Sequence, residues 1–393
     1  MAETDFESWN YVTNIASPIN PRASAHVSWL TDGNGILMLD DLLPQMFNAS
    51  AKVTIDISNG WKIISSENRI GPKTFEVLDI EKAVFVIGTD VREKRFKIGE
   101  ARLTVTTSGQ WLFSDDESAK IVKEIYEEYS KIFGANPDEN LQISLMPFPQ
   151  SGIPVGTWEA ETRGNSVVIV SADMPFKTQS MQRLREQLRH EIFHLWLPNG
   201  VNLSGNYDWF YEGFALYQSL KTGVSLNQIR FEDFLDTLSR AINIDASQTH
   251  RLSLIEASKN RWSGDDTQIY ARGMLVAFLC DLSILRESNG KRSVADIFRT
   301  LYASHKPPNS VTDANTAIIT AFESYPSLTE VVQRYVRGSQ KIDFTSELEA
   351  VGITNESVSA QVNLRLKAKL NGNQRMLLDK LGYNNWRKLT RKP

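Results

Sequence analysis

The 393-residue chain has one cysteine and only five histidines. One cysteine excludes an internal disulfide and any cysteine-built zinc or iron–sulfur site. A metal bound here must therefore be held by histidine and carboxylate. No run of 18 or more apolar residues occurs, so no transmembrane segment is expected. An excess of basic charge is missing too. Lys and Arg number 43 against 47 Asp and Glu, a formal net charge of −4, whereas a general nucleic-acid binder needs a net basic face that releases counterions. The start, Met1-Ala2-Glu3-Thr4-Asp5, lacks the basic residues and apolar stretch of a signal peptide. It reads as a soluble cytoplasmic chain as it stands, or as a secreted or periplasmic one whose signal peptide was removed. Internal repeats and low-complexity tracts are absent. With 41% hydrophobic and 23% charged residues, the composition is that of an ordinary globular protein of two or three domains.

Residues from about 20 to 112 carry period-two alternation in Val-, Ile- and Thr-rich stretches. Examples are Lys52 to Ile57, Thr74 to Leu78, Ala83 to Ile87 and Arg102 to Thr106, with Gly60, Gly71, Gly88, Gly99 and Gly109 between them. This pattern predicts a small β-sandwich domain over 1–112. The character then changes. Ser114-Asp115-Asp116-Glu117 is a capping box, followed at helical spacing by Ile121, Val122, Ile125, Tyr129, Ile132 and Phe133, with Gly134 as the stop. A domain boundary is placed near residue 112. Two strands, Leu141 to Met146 and Ser166 to Ser171, precede a mainly helical stretch. Beyond 360 the chain turns basic, and 356–393 reads as a solvated helical segment or tail.

The most informative stretch is His190-Glu191-Ile192-Phe193-His194-Leu195-Trp196. On a helix His190 and His194 lie one turn apart and project from the same side, where two imidazoles can grip one zinc ion. Glu191 is turned by about 100° from His190. It flanks such a metal instead of binding it, which is the placement of a general base in metal-assisted hydrolysis. A buried hydrogen-bonded histidine pair is the alternative. A third ligand is sought downstream, and Glu212 in Asp208-Trp209-Phe210-Tyr211-Glu212-Gly213-Phe214 is the candidate. A carboxylate among so many aromatic side chains is costly unless paired or ligated. Asp208 reads as the N-cap of its helix.

The pairing of His-Glu-Ile-Phe-His-Leu-Trp with Trp209-Phe210-Tyr211-Glu212-Gly213-Phe214 resembles the gluzincin metallopeptidases, in particular the glycyl aminopeptidase family and its relatives around aminopeptidase N. Further segments agree in order: Phe133-Gly134 before Leu141 to Leu145, Gly156-Thr157-Trp158-Glu159, Tyr270-Ala271-Arg272-Gly273 with Asp281 and Arg286 beyond it, and Tyr335-Val336-Arg337-Gly338. The resemblance covers about residues 113–355. It implies an α+β architecture, in which the β domain is followed by a thermolysin-like, mainly helical catalytic domain with a small mixed sheet.

It also implies roles. His190, His194 and Glu212 hold one Zn2+ per chain. Glu191 is the general base for attack by a zinc-bound water, and the Tyr270 hydroxyl stabilises the oxyanion. Glu159, on an edge strand, anchors the free α-ammonium of a peptide substrate. The implied activity is that of a zinc aminopeptidase. A gluzincin endopeptidase, a non-catalytic zinc-binding protein on the same fold and a zinc-dependent epoxide hydrolase are the alternatives. The chain departs from the family in three places. The 17 residues between His194 and Glu212 are one fewer than in aminopeptidase N relatives. Ala160 stands where the Gly-x-x-Glu motif closes on Asn or His. Residues 356–393 are too few for the PDZ domain found in some glycyl aminopeptidase relatives. Cys280 reads as a buried small hydrophobe, and His26, His250 and His305 as structural or exposed. Oligomeric state and preference for the first substrate side chain have no signal in the sequence.

Overall fold

The structure is a computed structural model that describes Val12 and residues 15–42, 50–137, 140–261, 267–358 and 361–383. Its described residues fall into two compact units. The first lies within Met1–Arg95, Leu103–Trp111 and Asn140–Met174, the second within Phe96–Arg102, Leu112–Glu139 and Pro175–Pro393.

In the first unit a four-stranded antiparallel sheet runs Trp29–Leu30, Asn34–Met38, Val84–Gly88, Lys62–Ser65. Alternation along its strands sends side chains to opposite faces. Leu37, Phe85 and Ile87 meet Phe75 and Val77 of the three-stranded sheet Ala51–Thr54, Thr74–Val77, Asn68–Arg69, and Phe75 sits edge-on to Phe85 at 5.0 Å. The two sheets thus pack face to face. On the other face Ile36, Met38, Val84 and Val86 are buried with Met146, Val168 and Val170. Those three residues come from a five-stranded mixed sheet of order Trp158–Arg163, Ser166–Ser171, Asn140–Pro147, Ala101–Thr107, Arg92–Ile98. The Trp158–Arg163 strand is at its edge, antiparallel to Ser166–Ser171, while Asn140–Pro147 runs parallel to Ser166–Ser171. A single turn, α1 (Leu39–Leu42), links two of the strands.

The units do not follow the limits drawn at 112 and 355. Residues 140–174 belong with the N-terminal strands. A change of hydrophobic period reveals where a helix starts, but not which earlier strands a later strand will rejoin.

The second unit opens with α2 (Asp115–Phe133). Its capping box is formed, with Ser114 Oγ accepting from the Glu117 amide at 3.2 Å and the Glu117 carboxylate from the Ser114 amide at 2.8 Å. Gly134 ends it at φ +73°, a left-handed conformation that glycine adopts without steric cost. Then come α3 (Lys177–His194), α4 (Asp208–Ser225), α5 (Phe231–Ser247), α6 (Leu254–Lys259), α7 (Gly273–Glu287) and α8 (Val294–His305). Phe133 of α2 stacks on Trp196 just past α3, at 5.2 Å and 11°.

α7 is the central helix, with every residue from Gly273 to Leu285 buried. Among the described residues, Gln268–Glu287 alone is long and apolar enough to cross a membrane, yet 89% of its apolar window is buried inside the unit. A helix apolar on all sides belongs in such a core. Its one deep carboxylate, Asp281, accepts from Tyr217 and Lys221 of α4, both at 2.5 Å, and from the Val294 amide at 2.9 Å. Cys280 is buried beside it, as expected.

Of the residues read as a basic tail, those described, 356–358 and 361–383, are built into this unit. Ile353–Val358 and Gln361–Leu366 form an antiparallel hairpin, followed by a helix over Gly372–Lys380. The Leu364 amide donates to Ser239 and the Val362 amide to Asn243, both on α5. The charges mislead because Arg365 and Lys367 are paired with Asp236 and Glu349, while Leu364, Leu377 and Leu378 are buried. Arg387, Lys388, Arg391 and Lys392 lie outside the described residues.

Candidate metal centre

His190 and His194 face the same way from the last turn of α3, as the four-residue spacing requires. Their Nε2 atoms are 3.2 Å apart. From α4, Glu212 Oε2 comes within 3.2 Å of His190 Nε2 and 3.6 Å of His194 Nε2. Among the described residues this is the one group of three such donor atoms close enough to share an ion. The missing residue between His194 and Glu212 does not prevent closure. The chain turns directly after α3, with the Asn199 amide on the His194 carbonyl at 3.1 Å, and α4 starts in time.

The donor set fits zinc. Two imidazoles and a carboxylate are borderline and hard donors with a fourth position left over. His194 Nδ1 meets the Leu197 carbonyl at 2.9 Å, the second hydrogen bond that fixes a metal-binding imidazole's tautomer. Burial by itself would push the Glu212 carboxyl up. Hydrogen bonds to His190 and His194 outweigh burial and hold it well below the usual carboxylate range. Burial disfavours the His194 imidazolium in the same way, but Glu212 and then Glu191 hold its pKa above the ordinary value. Glu191 is 4% exposed on α3, beside the histidines and not among the converging atoms.

Three local features bring α3, α4 and α7 together. Arg189, next to His190, is buried; its Nε donates to the Ser219 carbonyl at 3.0 Å and Nη1 to Gln228 at 2.6 Å, tying α3 to α4 and the turn after it. Gly213, next to Glu212, lies against Gly273. A methyl group on Gly213 would sit 2.5 Å from Gly273 Cα, and one on Gly273 would sit 2.6 Å from the Trp209 carbonyl oxygen. Backbone thus packs on backbone where α4 crosses α7. Finally, Gln268–Arg272 is a π-helical turn leading into α7, a form concentrated at functional sites. It carries Tyr270. Burial, then the negative charge of Glu212, pushes the Tyr270 phenol up, so at neutral pH it remains an O–H donor.

The glycine contact makes a prediction with an unusual sign. Alanine in place of a helical glycine ordinarily stabilises by about 1 kcal/mol. Gly213→Ala instead meets immovable backbone and is expected to destabilise by about 1–3 kcal/mol. Denaturant unfolding of the purified variant measures this, and a rise in stability would contradict the close crossing.

One sequence reading changes here, and one residue of the centre is new. Asp208 is the first helical residue of α4, and Tyr207 occupies the cap position without a side-chain hydrogen bond. The Asp208 carboxylate serves elsewhere, accepting from Tyr211 at 2.7 Å and from Arg261 at 2.5 Å. Arg261 had no sequence signal at all. It also donates to Glu212 Oε1 at 3.1 Å and to the Tyr270 hydroxyl at 2.9 Å. Tyr211 lies edge-on to the His194 ring at 5.9 Å, while Trp209 and Tyr207 are buried.

Glu159 belongs to the first unit, on the edge strand. His26 stands beside it, with Nε2 3.9 Å from Glu159 Oε2 and Nδ1 2.5 Å from Glu161 Oε2. Burial pushes the Glu159 carboxyl up, against the lowering effect of His26 and Arg22. His26 is therefore paired, with partners 133 and 135 residues away that no local pattern announces.

The chain matches no family model and no curated protein. Solved structures do match. An aminopeptidase N family protein from Idiomarina loihiensis superposes with a TM-score of 0.73 at 16% identity, over 84% of this chain and 63% of that one. An M1 zinc metallopeptidase from Deinococcus radiodurans, as a mutant bound to a Tyr-Ser-Ala substrate, gives 0.56 at 14% identity over 84% and 75%. A further structure of the Deinococcus radiodurans enzyme gives 0.55 at 14% over 81% and 72%. This chain shares their mixed helix-and-sheet fold, and it spans just under two thirds of the length of the Idiomarina protein. The likeness runs to the aminopeptidase N side of the resemblance seen in the sequence.

Proposed function

We propose that this chain is a zinc-dependent aminopeptidase whose helical unit is a thermolysin-like gluzincin catalytic body. The observation that carries the reading is the convergence of His190, His194 and Glu212 beside the buried Glu191, on a fold shared with M1 zinc metallopeptidases. The Tyr-Ser-Ala substrate of the Deinococcus radiodurans enzyme supports short peptides as the substrate class.

His190, His194 and Glu212 would hold one zinc ion. When bound, zinc supplies Lewis-acid polarisation of the scissile carbonyl and a water acidified to near neutral pH. Glu191 takes the proton from the attacking water and delivers it to the departing amine. The Tyr270 O–H donates to the carbonyl oxygen as negative charge develops there. Selection of the chain terminus over internal bonds calls for an anion that pairs with the substrate's α-ammonium, the role that the sequence resemblance implies for Glu159.

The test is a metal assay run beside a pair of peptides identical except for N-acetylation. About one zinc per chain is expected, with release of the first residue from the free peptide and none from the blocked one. Internal cleavage of the blocked peptide would replace exopeptidase by endopeptidase action. Stoichiometric zinc with no turnover of either peptide, or of a broad library, would leave a non-catalytic zinc protein.

A further inference from the structure

Arg261 follows α6 and reaches the metal centre with its side chain 19% exposed. It meets one face of α4. Asp208, Tyr211 and Glu212 stand at i, i+3 and i+4 and therefore lie together. Nη1 donates to Asp208 Oδ1 at 2.5 Å and to the Tyr211 hydroxyl at 3.1 Å. Nη2 donates to Glu212 Oε1 at 3.1 Å and, across to the π-helical turn, to the Tyr270 hydroxyl at 2.9 Å. Glu212 thus divides its oxygens, Oε2 toward the two imidazoles and Oε1 to Arg261.

Charge compensation for the buried Glu212 carboxylate and the half-buried Asp208 carboxylate accounts for half of this arrangement. It does not account for the bond to Tyr270. A guanidinium that donates into the phenol oxygen occupies an acceptor position on that oxygen and leaves the phenol's own hydrogen as a donor. The planar fork holds both targets in one rigid geometry, which the point charge of a lysine does not. Asp208 braces the fork from its far side.

The geometry points to Arg261 as a positioning residue, which clamps the outer oxygen of Glu212 and the hydroxyl oxygen of Tyr270 together so that ligand and oxyanion donor keep a fixed relation. The inference rests on the proposed roles of Glu212 and Tyr270.

Four variants test it: Arg261→Ala, Arg261→Lys, Tyr270→Phe, and Arg261→Ala combined with Tyr270→Phe. Both Arg261 single variants are expected to lose about 10- to 100-fold in kcat while KM stays nearly unchanged. Added guanidinium ion at non-denaturing concentration should restore part of the kcat of Arg261→Ala and none of that of Arg261→Lys, whose side chain fills the space. In the Tyr270→Phe background the loss from Arg261→Ala should shrink, because the two residues act as a unit. A second readout does not need turnover. In the cobalt-substituted protein, Arg261→Ala should shift the visible d–d bands, guanidinium should shift them back, and Tyr270→Phe alone should leave them in place.

Arg261→Lys with wild-type kcat and a superimposable cobalt spectrum would overturn the clamp. So would an Arg261→Ala loss that guanidinium leaves unrepaired and that adds fully to Tyr270→Phe, since that is the behaviour of a structural ion pair. A wild-type protein that cleaves no peptide would defeat the aminopeptidase reading, and the cobalt spectra would still decide whether Arg261 holds Glu212.

Discussion

Glu191→Gln is expected to keep its zinc and to lose about two to four orders of magnitude in kcat. The two halves of that expectation come from different atoms. Glu191 neighbours His190 in sequence, but a helix turns it by about 100°, and its carboxylate is not among the three atoms that converge. Glutamine has nearly the same shape, so α3 and the two imidazoles should be undisturbed. It cannot take a proton. In the proposed reaction Glu191 moves a proton twice, from the attacking water and then to the departing amine. Substrate contacts made before the transition state are untouched, so KM should change little. Peptide hydrolysis assayed together with zinc content is the measurement. Full activity in a zinc-loaded Glu191→Gln protein would sink the mechanism. Loss of zinc would instead show that the residue, 4% exposed, is needed to build the site.

The parts of this centre that were legible from the sequence are those set by one helix or by one chemical incongruity. His190 and His194 are readable because four residues make one turn. Glu212 is readable because a carboxylate amid Trp209, Phe210, Tyr211 and Phe214 demands a partner, which the structure supplies as both imidazoles and Arg261. Asp208 shows where such reasoning fails. An acidic residue at a helix start has a ready local explanation as a cap, and local rules stop there. Its actual partner, Arg261, is 53 residues further on, and Glu212 and the same arginine are 49 residues apart. The pairing of His26 with Glu161, separated by 135 residues, is of the same kind. The return of strands 140–147 and 166–171 to the N-terminal sheets, and of the basic C-terminal hairpin to α5, depends equally on tertiary partners. Periodicity names the exposed and buried faces of an element without saying what covers them.

Glu212→Gln should have an effect of comparable size on a different quantity. If binding of zinc by a protein site is worth about 10 kcal/mol and is shared among three ligands, loss of the only anionic one costs about 3 kcal/mol, or roughly 200-fold in affinity. The amide can still reach His190 and His194, so the contact between α3 and α4 survives while its charge does not. Arg261 keeps Asp208 as its counter-ion and stays in place. The variant should therefore fold, and the defect should appear as metal loss. Thermal unfolding separates these outcomes. Zinc that binds the folded wild type and not the unfolded chain adds about 2.7 kcal/mol of stability at a free concentration 100 times its dissociation constant, so chelation should lower the wild-type midpoint. In Glu212→Gln at the same free zinc the chelated and loaded curves should nearly coincide. A wild-type midpoint indifferent to chelation, in a protein shown to have lost its zinc, would mean that the three side chains do not bind the ion in the folded state. If Glu212→Gln kept both the zinc-dependent shift and full zinc content, Glu212 would be only a hydrogen-bond partner of the histidines, and the third ligand would have to lie elsewhere.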